Sequence, residues 1–171
     1  MLNEKVANLL NEQINKEFYS AYLYLDMANY YTDNGLDGFA NWFKIQAQEE
    51  RDHALLFLQY IQNNQGKVTL GAINGPDIIF DNFGSPLDEA FKHEQYVTTS
   101  INEIYDAAHQ IKDYRTMQFL DWFIMEQGEE EKNADDLITK YKLFGGDAKG
   151  LYMLNSEMGG RIYSAPSLVL D

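Results

Sequence analysis

Apolar residues recur along this chain at steps of three and four. Between about residues 3 and 33 the inner positions are Val6, Leu10, Gln13, Glu17, Ala21, Tyr24 and Ala28, one face of an amphipathic helix. Thr32 to Gly35 make a short turn. The spacing resumes over about 37–65 at Phe39, Phe43, Gln46, Glu50, His53, Phe57 and Tyr60, and Gly66 is the expected stop. Residues 66–85 carry glycine and proline punctuation and no helical period, so they read as a long connection. Ser85 before Pro86 reads as an N-cap followed by proline at the first helical position. A third helix over about 86–112 aligns Leu87, Ala90, Glu94, Val97, Ile101, Ile104, Ala108 and Ile111. After a tight turn at Lys112–Arg115, a fourth over about 116–144 aligns Leu120, Phe123, Gln127, Glu130, Ala134, Leu137 and Tyr141. Asp147 then caps a short fifth helix to about 158, and an extended tail follows.

Connection lengths set the expected topology. Short loops join antiparallel neighbours. A helix of about 27 residues is roughly 40 Å long, and a link of about 20 residues reaches about 65 Å when extended. The connection can therefore run the length of the bundle. The expectation is a single all-α domain over 1–171: two helical hairpins joined by one long crossover at 66–85, with a short C-terminal helix.

Composition narrows the chemistry. The net charge is −14, from 27 acidic against 13 basic residues, and no basic run is present. Nucleic acid, which needs clustered Lys and Arg, is not an expected partner; cations suit so acidic a surface, although solubility alone would explain it equally well. With no cysteine, thiolate sites, Fe–S clusters and Cys nucleophiles are excluded. Neither a signal-peptide core nor a membrane-length apolar run is found, so no membrane association and a cytoplasmic location are expected.

Each helical stripe carries the same anomaly. Glu17 interrupts the first, Glu50 and His53 the second, Glu94 the third, and Gln127 and Glu130 the fourth. Taken singly, each is better read as a seam residue whose tip reaches water. Together they place carboxylates on all four inner stripes, where no Lys or Arg is found. A buried carboxylate without a cation costs several kcal/mol, which leaves protonation or a bound metal. Four carboxylates and an imidazole form the donor set of a di-iron or di-manganese site. Glu50 and His53, three apart, project from one helix face, as do Gln127 and Glu130. Glu49, Glu126 and Glu129 lie beside them, turned partly away; an ordinary solvated face explains them, but like charges at this spacing repel and a further cation would relieve them.

These residues resemble the bacterial non-haem ferritins along nearly the whole chain. The matching stretches are "NEQINKEFYSAYLYL" around Glu17, "QAQEERDHA" around Glu50 and His53, "FKHEQ" with Glu94, and "FIMEQGEEE" around Gln127 and Glu130. The resemblance implies a ferritin-like bundle with one iron on Glu17, Glu50 and His53 and a second on Glu94 and Glu130, with Glu17 or Glu50 bridging. It makes Gln127 a group that either supports the iron ligands from behind or orients oxygen, assigns Glu49, Glu126, Glu129 and Glu130 to a third iron site, and sets Tyr24 beside the centre as an electron donor, with Trp122 a weaker candidate. It also implies a shell of 24 subunits, the fifth helix meeting at fourfold axes, and oxidation of Fe(II) by O2 or H2O2. Bacterioferritins place a haem-ligating Met where Arg51 stands and carry a second Glu-x-x-His, so no haem is expected. Two alternatives stay open: a di-metal oxidase or peroxidase that stores nothing, and a metal-free helical interaction protein. His93 and His109 read as surface residues, and Asp113 and Asp121 as possible linings of an iron inlet.

Overall fold

In the computed structural model, which describes residues 2–170, the helices are α1 (Glu4–Asp33), α2 (Asp37–Asn63), α3 (Ser85–Gln110), α4 (Tyr114–Phe144) and α5 (Ala148–Met158), and no strand occurs among the described residues. The helical pairs α1–α2 and α3–α4 are the hairpins. They meet through α1 and α3, while α5 packs on α2 and α4. This is the ferritin-like bundle with one crossover and a short C-terminal helix. No helix among the described residues is long and apolar enough to cross a membrane.

Side chains of α1 guide the crossover. Asn11 accepts from Thr69 N (2.7 Å) and donates to Lys67 O (3.1 Å). One turn on, Asn15 accepts from Gly71 N (3.2 Å) and donates to Ala72 O (3.3 Å). At the far end the Tyr31 hydroxyl donates to Phe83 O (2.7 Å). These side-chain amides supply partners for an irregular backbone that has no ladder of its own. The connection thus follows α1 from its first turns to its last, and α3 starts at the opposite end from the one where α2 stops.

Helix ends differ from the sequence expectation at several points. The left-handed residue that closes α2 is Gln65 (φ 58°), not Gly66. Gly66 N reaches back to Ile61 O (2.8 Å), the wide turn of a Schellman cap. The glycine provides space: a Cβ there would lie 2.7 Å from Ile61 Cγ2. Ser85 is inside α3 rather than its cap, because Asn82 Oδ1 already accepts from the N–H groups of Gly84 (2.9 Å) and Ser85 (3.1 Å). Asp113 caps α4, accepting from Thr116 N (3.2 Å) and Oγ1 (2.7 Å), so its carboxylate serves the helix start. Ile111, assigned to the third stripe, ends up exposed because α3 stops before it.

The apolar side chains separate into clusters at either end of the bundle. One holds Leu23, Met27, Tyr31, Phe39, Phe43 and Leu137. The other holds Leu10, Ile14, Phe57, Ile101, Phe119 and Phe123. Between them lies a buried polar layer that includes Gln13, Glu17, Gln46, Glu50, His53, Glu94, Gln127 and Glu130. Each large apolar side chain fully buried contributes about 1.5–3 kcal/mol. The end clusters therefore carry the stability that the charged layer lacks, and they shut water out along the bundle axis.

The fifth helix is fixed by a close approach. Asn155 Oδ1 accepts from Gly38 N (2.9 Å) and Phe39 N (3.2 Å), which caps the start of α2. A Cβ on Gly38 would sit 1.7 Å from Asn155 O. Gly38→Ala is expected to push α5 off α2 at a cost of about 1–3 kcal/mol. The check is a guanidinium melt together with hydrogen exchange at Asn155; an unchanged midpoint and unchanged protection would contradict the packing described.

Candidate metal centre

The helical register brings Glu17 of α1 and Glu50 and His53 of α2 to one place at mid-bundle. Each offers a ligand atom within 4.8 Å of the others, and all are buried. In both helices a glutamine one turn earlier holds the carboxylate. Gln13 Nε2 donates to Glu17 Oε1 (2.9 Å), and Gln46 Nε2 donates to Glu50 Oε1 (3.0 Å). One oxygen of each acid is thereby fixed. Glu50 Oε2 lies 3.4 Å from His53 Nδ1, whereas Glu17 Oε2 is buried with no hydrogen-bond partner among the described residues. An acceptor left bare in a dry site is what a cation would satisfy. The His53 ring is held edge-on against Trp122 and Phe123 (centroids 5.6 and 5.8 Å).

Glu94 and Glu130 complete the charge cluster but do not join that set. Both oxygens of Glu94 are engaged: Oε1 accepts from the Tyr24 hydroxyl and Oε2 from Gln127 Nε2 (3.0 Å). Gln127 is further steadied by Glu94 O (3.3 Å). Glu130 is buried within reach of the charge of Glu50. The structure therefore places one half of the expected pair of sites as a ready donor set, and the other half as a carboxyl held by a tyrosine and an amide.

Proton affinities follow from this crowding. Burial, then the charge of Glu50, raises Glu17 to about 8, and the same causes in the same order raise Glu130 to about 8. Burial, with Glu50 and Glu130 beside it, puts Glu94 well above the ordinary range. For Glu50 burial pushes upward, but the hydrogen bond and charge of His53, helped by Gln46, outweigh it and lower the carboxyl. For His53 burial pushes downward, but the hydrogen bond and charge of Glu50, with Glu17 and Glu130, win and raise it to about 10. Burial and mutual charge therefore favour protons on Glu17, Glu94 and Glu130, and an ion pair between Glu50 and His53. A divalent cation would take the place of those protons.

Protein cations approach the layer from outside the stripes, which the sequence pattern does not show. Lys16 Nζ donates to Ser100 Oγ (2.5 Å), Ser100 donates to Gln13 Oε1 (2.6 Å), and Gln13 donates to Glu17. On the other side Arg161 donates to Gln46 Oε1 (2.9 Å) and to Glu49 Oε2 (2.5 Å). The view that only protons or metals compensate the acids is therefore too narrow: each glutamine also relays a cation to its glutamate. The glutamine four residues ahead of each acid was a usable signal. Arg161 was not, because its segment has no period.

Other candidates fall as follows. Glu49 and Glu126 are half-buried and Glu129 is exposed. Glu126 Oε1 lies 4.0 Å from His53 Nε2. These acids, His53, Glu130 and Arg161 line a cleft of about 230 Å³. Trp122 donates to Ser167 Oγ (2.9 Å) while its ring meets His53. Arg51, where a haem ligand would stand, is exposed and paired with Asp52. His93 is not a surface residue: it is buried, 2.7 Å from Ser20 Oγ, and edge-on to Tyr24. Burial lowers its proton affinity, so it supports Tyr24 as a neutral core histidine. His109 is exposed in the last turn of α3. Asp121 is exposed and accepts from Tyr105 (3.1 Å).

A four-helix bundle with carboxylates and a histidine converging at mid-depth has the architecture of the ferritin-like carboxylate proteins. Comparison with known proteins gives the family. Residues 7–144 match the ferritin-like domain. The bacterial non-haem ferritin of Campylobacter jejuni is 39% identical over 90% of this chain and 92% of its own. That of Bacteroides fragilis is 37% identical over 94% of this chain and 100% of its own. Among solved structures, an open-pore ferritin from Archaeoglobus fulgidus is 40% identical with a TM-score of 0.92, covering 94% of this chain and 98% of its own. An engineered closed form of the same archaeal protein gives 0.93 at 40% identity, covering 96% and 100%. The chain belongs to the ferritin family, whose business is iron storage.

The proton affinities predict how stability depends on pH. Glu17 and Glu130 move from an ordinary 4.5 to about 8 on folding, so the folded form holds their protons longer and stability falls as pH rises from about 4.5 to 8. His53, raised from 6.5 to about 10, contributes stability that is complete below 6.5 and lost as pH rises through 10. The lowered Glu50 acts oppositely, its contribution being lost only toward acid. The metal-free protein is expected to melt at a lower temperature at pH 8.5 than at pH 6, and Zn(II) to restore a stabilisation that grows over that interval. Thermal melts with zinc or with a chelator read this directly; a zinc increment independent of pH would contradict it.

Proposed function

We propose that this chain is a ferroxidase subunit of an iron-storage shell. Fe(II) is its substrate and stored Fe(III) hydrous oxide its product. The observation that carries the reading is the bare, buried Glu17 oxygen beside Glu50 and His53, within a layer of further carboxyls. In this reading Glu17, Glu50 and His53 hold one iron. Glu94 and Glu130 hold a second once Glu94 turns from Tyr24 and Gln127, and Glu17 or Glu50 bridges the two. Carboxylates suit the task because they can rotate between donors and metal as the charge of iron changes.

Each Fe(II) gives up one electron, and two electrons with two protons take O2 to the level of H2O2. The residues supply the setting for this exchange. The apolar clusters at both ends keep bulk water from the axis. Gln13 and Gln46 hold one oxygen of each paired glutamate in place. Gln127 orients the oxygen side, and Tyr24, hydrogen-bonded to Glu94, stands where it can give one of the two further electrons, the other coming from a third Fe(II), that with two more protons take H2O2 to two waters. Glu49, Glu126 and Glu129, with Glu130, form a third cation position on the way out. Fe(III) then hydrolyses to the mineral in the acidic interior of a cytoplasmic shell of 24 copies, α5 meeting its equivalents at the fourfold axes. The close likeness to ferritins from bacteria and an archaeon supports this assembly.

Glu17→Ala with His53→Ala is expected to slow aerobic Fe(II) oxidation by more than the roughly 10–100-fold that changes around a metal's ligands cause. Gel filtration after iron loading should show a large particle that retains many irons per subunit. Normal oxidation by the double variant would refute the site. Oxidation without retained iron would favour an oxidase that stores nothing.

A further inference from the structure

The tail after α5 has no period in the sequence, yet it lies back across α2 and α4 over the outer face of the metal centre. Arg161 anchors it. Its Nη1 donates to Trp42 O (3.2 Å) and Gln46 Oε1 (2.9 Å), its Nη2 donates to Glu49 Oε2 (2.5 Å), and its guanidinium stands 4.2 Å over the Trp42 ring. Further along, Tyr163 donates to Asp52 Oδ2 (2.5 Å), Trp122 donates to Ser167 Oγ (2.9 Å), and Gln59 donates to Leu170 O (2.9 Å). Beneath the tail is the cleft of about 230 Å³ that reaches His53 and Glu130. Arg161 is the only Arg or Lys among the described residues that line it, facing Glu49, Glu126 and Glu129.

A planar guanidinium forked onto a carboxylate and an amide is a strong, geometrically specific contact. Here it occupies an oxygen that a third cation would need. Arg161 and a divalent ion on Glu49 exclude one another, both by space and by repulsion between like charges. The tail is also held by Tyr163 on Asp52, by Asn41 on the Arg161 carbonyl, and by Leu168 and Leu170 against the second apolar cluster; loss of the Arg161 side-chain contact therefore frees only the stretch beside Glu49.

We propose that Arg161 is the built-in occupant of the outer cation position, and that a third metal ion binds there only by displacing its guanidinium from Glu49 and shifting the adjoining stretch of the tail. The inference rests on the reading of Glu49, Glu126 and Glu129 as a cation position. It makes Arg161 a positioning residue that sets the affinity of that position and links its filling to the shift of that stretch.

The chain has two tryptophans, Trp42 and Trp122, and both touch the tail; Trp122 also meets His53, so displacement is read from Trp42, under the Arg161 guanidinium, with Trp122→Phe as the common background. Zn(II), which has no redox chemistry, is titrated into metal-free protein and followed by calorimetry and by tryptophan emission. With Arg161 in place the third zinc per subunit should bind more weakly than the first two and change the emission. Arg161→Gln should tighten the third step about tenfold, leave the first two within about twofold, and remove the emission change. Arg161→Lys, which keeps the charge without the fork, should fall between and serves if the glutamine variant folds poorly. A third step of unchanged or weaker affinity in Arg161→Gln would overturn the proposal, as would no third step in any of the proteins. Absence of the first two steps as well would overturn the di-metal reading beneath it.

Discussion

Negative charge buried at the middle of a helical bundle is the constraint around which this molecule is built. Glu17, Glu50, Glu94 and Glu130 are all nearly inaccessible, and His53 is the one cationic side chain buried among them in the described structure. Such a layer is unfavourable by itself. It persists because the apolar clusters on either side hold the helices in register, and because burial raises the proton affinity of Glu17 and Glu130 and so eases the charge that His53 does not offset. The crossover contributes by bringing α3 back to the right end, so that Glu94 and Glu130 arrive at the depth of Glu17 and Glu50.

The two hairpins hold their acids differently. On α1 and α2 each glutamate is tied through a glutamine to a cation at the periphery, Lys16 by way of Ser100 on one side and Arg161 on the other. Those carboxylates are positioned, with one oxygen left to face the centre. On α3 the acid is tied to Tyr24 and Gln127, neutral partners that it can release. A fixed half and an adjustable half suit the proposed exchange, in which Fe(II) binds and Fe(III) leaves. Neutralising groups thus range from protons to remote protein cations, and in the proposed function to the metal that replaces them.

Much of this was legible in the sequence, because periodicity reports which residues face inward. Polar residues recurring on otherwise apolar stripes marked Glu17, Glu50, His53, Glu94, Gln127 and Glu130, and the structure buries every one of them. What escaped depends on contacts between segments distant in sequence. His93 sits one residue from Glu94 and reads as surface until α1 brings Ser20 and Tyr24 against it. Asn82 takes the capping role expected of Ser85 through a local turn that periodicity does not encode. Arg161 belongs to a tail without regular structure, and only the folded chain shows that it reaches Gln46 and Glu49.

The account stands on the buried acids being a metal-binding set rather than a protonated polar layer. Anomalous diffraction at the iron edge, from crystals soaked anaerobically in Fe(II), addresses this most directly. The account predicts a strong peak between Glu17, Glu50 and His53 and a second toward Glu94 and Glu130, with the Glu94 side chain turned away from Tyr24. No anomalous density at mid-bundle, with Glu94 still held by Tyr24 and Gln127, would contradict it.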